Sequence, residues 1–247
     1  MSAVDALLLL VGGFFAGVIN SMAGGGSLIT VPLLSLAGIG GTLANGTNRV
    51  AVLVQNASSA LGYALGGFGS GRETLPVLAP SALGALIGSF GASQIDDQLF
   101  ERVFGLLMLP LLALSLWQPK TETSDRPWPL WLSLLAFFVI GAYGGAVQAG
   151  VGLLLLLVLA RSGRDLVTAN AIKTVVILAI TLIAVPVFVA NDQVRWIPAL
   201  VLSVGTGSGG FVGASAAVRG GERLIRPVLI LVVLVLASRM LGLWELV

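Results

Sequence analysis

A small set of amides, hydroxyls and cations interrupts a chain that is otherwise apolar, and these are the residues that could do chemistry. Asn45, Thr47, Asn48 and Arg49 open one long apolar run; Asn170 and Lys173 open another. Together they offer N–H donors with no accompanying carboxylate, the equipment for holding something negative. Polar groups that face a bundle interior within lipid are functional by default, which makes Asn48 and Lys173 candidate inward ligands. Gln55, Asn56, Ser58 and Ser59 continue that polar face one to three turns further on. A blander reading has Asn45 and Asn170 near helix starts, with Arg49 and Lys173 snorkelling to the interface. It predicts that both cations reach the surface.

A second kind of signal is the glycine break. Met22-Ala23-Gly24-Gly25-Gly26-Ser27 interrupts an apolar run, Gly150-Val151-Gly152 interrupts another, and Asn20 and Gln148 stand just before them. Each glycine weakens a helix by about 1 kcal/mol, and a break in lipid is tolerated only where it faces protein or a water-filled cavity. Ser27 and the N–H groups after it would open a half-helix whose positive end attracts an anion. The candidate substrate-binding set is therefore Asn20, Gly24, Gly25, Gly26, Ser27, Asn45, Thr47, Asn48, Arg49, Gln148, Gly150, Gly152, Asn170 and Lys173. The competing reading, close helix packing on small residues, suits Gly13/Gly17, Gly62/Gly66 and Gly84/Gly88.

What is missing narrows the chemistry. The 247 residues contain no cysteine and no histidine, so thiolate chemistry, the commonest metal ligand and the easiest proton switch are absent. All eleven acidic residues lie at segment ends or in connections. A carboxylate proton relay, a carboxylate sodium site and the acidic rings of a cation channel have no candidates. No metal or cofactor is expected. Catalysis would have to rest on a serine–lysine pair such as Ser27 with Lys173. A proton could travel on a weakly acidic substrate anion. A formal charge of +2, scattered along the chain, gives no basic face for nucleic acid.

The elements that must position these residues are membrane helices. Apolar residues are 57% of the chain and charged ones 10%, far below the quarter usual in soluble proteins. Ten apolar segments can be drawn: 4–19, 28–37, 43–65, 75–90, 100–117, 129–147, 151–160, 169–190, 197–218 and 228–241. Those at 28–37 and 151–160 cover about half the hydrocarbon thickness, so the crossings number eight or ten. Trp117, Trp128, Trp131, Trp196 and Trp244 lie at or near segment ends, the aromatic-belt position. Asp5 stands where a signal peptide would be basic, so the first run is expected in the mature fold. Arg72, Lys120, Arg126, Arg161, Arg164, Arg219, Arg223 and Arg226 fall in four connections that would face the cytoplasm. That requires 129–160 to enter and leave on one side, as a pair bent back at the glycines or as two thin crossings.

The chain also resembles itself. Gly12 to Asn20 is answered by Ile140 to Gln148, and Leu43 to Val50 by Thr168 to Val175, which sets Asn45 against Asn170 and Asn48 against Lys173. Gly91-Ala92-Ser93 pairs more weakly with Gly213-Ala214-Ser215. The expected organisation is a first transmembrane repeat at 1–118, a cytoplasmic linker at 119–130 and a second repeat at 131–247. If each half crosses an odd number of times the repeats are inverted, the plan of many secondary transporters, with substrate near the membrane middle. The expected fold is thus an all-α polytopic membrane protein of two inverted repeats with discontinuous helices.

Over nearly its whole length the sequence resembles the TauE/SafE-type sulfite exporter family, also called TSUP or DUF81 membrane transporter proteins. The resemblance rests on Gly17 to Pro32, Gly46-Thr47-Asn48, Gly144-Gly145 and Ala169-Asn170-Ala171-Ile172-Lys173, in that order and spacing. It implies a multi-pass protein of the bacterial inner membrane that moves sulfite, thiosulfate, sulfoacetate or another organosulfur anion. The partners expected are that small anion, with a proton as candidate co-traveller, and the lipid bilayer. Oligomeric state is left open. The alternative is a membrane scaffold or assembly protein whose glycines serve packing only, which predicts no central cavity.

Overall fold

A computed structural model describes residues 1–69, 74–116, 129–160 and 165–220. Among them are nine α-helices and no strand: α1 (Ala3–Ala23), α2 (Ser27–Leu36), α3 (Gly41–Leu65), α4 (Leu75–Ser93), α5 (Asp97–Leu116), α6 (Leu130–Ala146), α7 (Val151–Ala160), α8 (Leu166–Ala190) and α9 (Trp196–Val218). Each of the first nine apolar runs coincides with one helix to within a few residues. The tenth run, most of the linker, Trp117, Trp128, Trp244 and the basic connection residues other than Arg219 lie outside the described residues. Trp131 and Trp196 sit in the first turns of α6 and α9 and are exposed, as an interfacial indole should be.

Burial runs opposite to that of a water-soluble protein. Leu7, Leu61, Leu83, Ile87, Leu106 and Val204 are exposed, whereas Asn45, Thr47, Asn48, Arg49, Gln55 and Lys173 are buried. Among the described residues four helices, α1, α4, α8 and α9, are long and apolar enough to cross a membrane. With 25 residues α3 is as long as α8. Its apolarity is diluted by the amides and hydroxyls it carries inward.

Local chemistry sets the helix ends. Ser2 and Asp5 form a reciprocal capping box at α1. Asp97, opening α5, accepts from the Thr42 N–H at 2.8 Å and the Thr42 hydroxyl at 2.6 Å, capping the start of α3. Asp165 caps α8 by accepting from Val167 and Thr168. Its hydrogen bonds to Thr168, side chain first, hold the carboxyl below its ordinary value.

Both broken segments fold back on themselves. Helix α1 ends where Gly24 takes the left-handed φ of 84°, and α2 returns along it, bringing Leu33 against Gly12. After α6 the turn uses Gln148 at φ 68° and Gly150 at φ 69°, and α7 packs back with Val151 against Gly144 and with Leu155 and Leu159 clustering with Phe137 and Ile140 of α6. The segment 129–160 is thus the bent-back pair, not two thin crossings. Each return helix has 10 residues and reaches only about 15 Å.

Small residues decide how the long helices meet. Gly205, Gly209 and Gly213 of α9 lie against Leu10, Phe14 and Val18 of α1 in step, so the two helices run parallel. On α4, Gly84 and Gly88 meet Phe138 and Ala142 of α6, again in parallel. Helix α3 also runs with α9, through Thr206 on Ala51 and Gly62 on Ala214. It runs against α8, where Gly46 meets Phe188 while Tyr63 clusters with Ala171. The ends of α4 and α8 come together at Gln94 and Asn191. So α1, α3 and α9 point one way and α4, α6 and α8 the other. Without a Cβ at these contacts, backbones approach closely enough for van der Waals packing to hold helices that gain nothing hydrophobically in lipid. Packing is therefore the role of Gly13/Gly17, Gly62/Gly66 and Gly84/Gly88.

Candidate functional site

The first break opens onto a small cavity. Ala16, Gly17 and Asn20 of α1, Gly26, Ser27 and Thr30 at the start of α2, Val52 and Gln55 of α3 and Thr206 of α9 line a partly open pocket of about 10 Å³, room for roughly one water molecule in this conformation. Asn20 organises one wall: its Nδ2 donates to Gln55 Oε1, and its Oδ1 accepts from the Gly26 N–H at 3.2 Å. A Cβ on Gly26 would collide with Asn20 and with the Ala16 carbonyl, so only glycine lets the chain pass there. Gln55 in turn donates to Ser21 and Ser59 at 3.2 and 2.9 Å. The start of α2 has no side-chain cap. Thr30, one turn into that helix, is 3% exposed, and its Oγ1 has no hydrogen-bond partner among the described residues. A buried unpaired hydroxyl costs free energy unless something occupies the space beside it.

The two cations are fully inside, Arg49 at 0% and Lys173 at 1% exposure. The snorkelling reading is overturned. Lys173 Nζ donates to the Asn20 carbonyl at 2.8 Å, the Ser21 carbonyl at 3.1 Å and Asn170 Oδ1 at 2.6 Å, which uses all its N–H groups. Arg49 donates through Nη1 to the Gly144 carbonyl and to Gln148 Oε1 at 2.8 Å, and through Nη2 to the Gly145 carbonyl at 2.6 Å and Asn45 Oδ1 at 3.5 Å. Its guanidinium lies 4.9 Å from the Phe188 ring centroid, a cation–π distance. Asn45 adds a 2.8 Å bond to the Ala146 carbonyl. The Ser27–Lys173 pairing that catalysis would need is absent from this set.

The cation that plays the corresponding part on α3 stands one residue beyond the position the internal match pairs with Lys173. That match sets Lys173 opposite Asn48, and the cation on α3 is Arg49. Asn45 to Arg49 is four steps and Asn170 to Lys173 is three, and both spacings return to the same helix face.

The remaining candidates divide. Asn20, Gly26 and Ser27 line the cavity. Gly24 and Gly152 touch backbone to backbone, leaving no room for a Cβ on either. The space between the two breaks is filled by the breaks, and the cavity lies to one side. Gly25 has only Leu28 near it, and Gly150 faces Leu111 of α5. The Thr47 hydroxyl accepts from the Arg195 N–H at 3.0 Å and ties α3 to the start of α9. Asn48 is 0% exposed, and neither atom of its amide has a partner among the described residues. It shares a helical face with Val52 and Gln55. Sequence reasoning missed Thr30, Val52 and Thr206. Thr30 stands one turn after Ser27, a usable signal; Thr206 sits in a run of small residues that reads as packing.

Comparison with known proteins finds relatives among membrane transporters. The family model described as "Sulfite exporter TauE/SafE" matches residues 9–240. A "Probable membrane transporter protein ORF9" of Sinorhizobium sp is 30% identical over 238 residues, covering 95% of this chain and 91% of that one. A "Probable membrane transporter protein" of Haemophilus influenzae is 27% identical over 242 residues, covering 96% and 95%. The "Probable membrane transporter protein YfcA" of Escherichia coli K12 is 25% identical over 230 residues, covering 92% and 86%. No solved structure matches. A multi-pass membrane chain matched from end to end in this way belongs to the sulfite exporter TauE/SafE family of membrane transporters.

Proposed function

We propose that this protein is a secondary transporter that moves a small anion, sulfite or an organosulfonate or other organosulfur anion, by alternating access. The observation that carries the reading is the buried Thr30 hydroxyl in the first turns of α2, which has no partner among the described residues. In lipid such a group is tolerated where a polar occupant visits. The anion sits beside the first break, accepting from the Thr30 hydroxyl and drawn by the positive end of α2. The Asn48 amide, one turn of α3 beyond Val52, is the next polar station. Lys173 and Arg49 balance its charge through space: the Lys173 N–H groups and both Nη atoms of Arg49 are committed to backbone carbonyls and side-chain amide oxygens, while Arg49 Nε has no partner among the described residues. Two inverted halves, 1–118 and 131–247, rock about the contact of Gly24 with Gly152. The opposite directions of α1, α3, α9 and α4, α6, α8 support this. Where the cargo is a weakly acidic anion such as sulfite, a proton travels on it, since no carboxylate lines the pocket; a sulfonate group would move without one.

The test is flux into liposomes containing the purified protein, with sulfite, thiosulfate, sulfoacetate, taurine and sulfate as alternative cargoes. One or more sulfur anions is expected to move, and Lys173→Ala to abolish movement while inserting normally. Absence of flux for every anion, or wild-type flux in Lys173→Ala, defeats the reading.

A further inference from the structure

The last four carbonyls of a helix have no partner within it, and a helix ending inside a membrane protein cannot give them all to water. At the end of α6, Val147 N–H donates to the Tyr143 carbonyl, Arg49 takes the carbonyls of Gly144 and Gly145, and Asn45 takes that of Ala146. At the end of α1, Gly24 N–H and Lys173 share the Asn20 carbonyl, and Lys173 and the Tyr63 hydroxyl share that of Ser21. The carbonyl end of a helix is its negative pole, where a cation is worth most. In both places the cation comes from the other half of the chain, from α3 for α6 and from α8 for α1. In both it also reaches the amide residue before the break, Gln148 through its side chain and Asn20 through its backbone.

We infer that Arg49 and Lys173 are crossed caps, positioning residues that each hold the broken helix of the opposite half, and not direct ligands of the anion. The arrangement makes a specific claim about cause. Removing a cation should disturb the break it reaches across to, leaving its own helix and its own half's break in place. A ligand for the cargo would disturb neither break in the absence of cargo.

The experiment is backbone hydrogen exchange on the full chain in lipid nanodiscs without any anion. Arg49→Met is expected to speed exchange about tenfold at 147–152 with 24–29 unchanged, and Lys173→Met to do the converse. Arg49→Lys and Lys173→Arg keep the charge and should stay within about threefold of the parent, since a point charge replaces a fork or the reverse. This arm does not depend on transport. A second arm rests on the transport reading: in sulfite flux, Arg49→Met should lower the maximal rate by a larger factor than it raises KM, since its charge acts on the anion only through space. Exchange that is unaltered at both breaks, or that rises equally throughout, overturns the inference. So does a raised KM with unaltered exchange, the behaviour of a direct ligand. If a Met variant fails to insert, the conservative pair decides: exchange far faster than the parent at the variant's own break also overturns it.

Discussion

At the scale of single residues, the interior separates polar groups that are satisfied from those that are not. Asn20, Gln55, Ser21 and Ser59 form a closed network and Lys173 has three acceptors, whereas the Thr30 hydroxyl, the Asn48 amide and Arg49 Nε have no partner among the described residues. Replacing Thr30 by Val keeps the shape and removes only the unpaired hydroxyl. That should leave folding unharmed, because no hydrogen bond is lost. Yet it should weaken anion handling by about tenfold in KM, the effect of one charge-assisted bond; unchanged flux kinetics in proteoliposomes would place the anion elsewhere. The sequence made Asn20, Gly26, Ser27 and Lys173 visible because a polar type inside an apolar run is conspicuous. It could not distinguish a cation that meets cargo from one that meets carbonyls, since backbone acceptors leave no mark in side-chain identity. Thr206 was invisible for a related reason. Threonine among glycines looks like packing, and its place in the cavity wall depends on the helix opposite.

At the scale of elements, two kinds of glycine do different work. Those on α9, α4 and α6 make flat faces for parallel neighbours. Gly24 combines a left-handed φ of 84° with direct contact on Gly152, so a side chain there is both strained and obstructed. Gly24→Val should therefore destabilise by more than the roughly 1 kcal/mol of an ordinary conformational penalty. Gly25→Ala, with only Leu28 nearby, should cost far less. Thermal unfolding in detergent compares the two, and equal losses would contradict the geometry. The breaks themselves were legible, since consecutive glycines cannot propagate a helix cheaply. Whether each short helix crosses or turns back was not legible, because ten apolar residues suit either course. Packing decided it, through Leu33 on Gly12 for α2 and through Leu155 and Leu159 of α7 clustering with Phe137 and Ile140 of α6.

At the scale of the whole molecule, the two halves are interleaved. Helix α1 of the first half lies along α9 of the second, and α4 of the first along α6 of the second. The repeated motifs lead one to expect two related halves; which helix of 1–118 lies on which of 131–247 follows from small residues whose partners are distant in sequence. Residues 1–118 expressed alone should be degraded, lacking α9 against α1 and the cap on Asn20 and Ser21. Co-expression with 131–247 should restore both, as read by steady-state amounts in membranes. A stable, separately folded first half would rule out the interleaving.

The crossed caps also bear on how the protein is made. A chain is synthesised from its N-terminus, and its early parts fold first. Lys173 follows Asn20 by 153 residues, so the end of α1 leaves the ribosome long before its cap exists. The Arg49 cap, by contrast, is ready and waiting 95 residues ahead of Gly144. During biogenesis the first half must therefore pass through the insertion machinery with the carbonyls at its break held only by the Gly24 N–H and the Tyr63 hydroxyl and without their cation, while the second half is capped as it arrives. The newborn first half is the stage at which quality-control proteases have their opening.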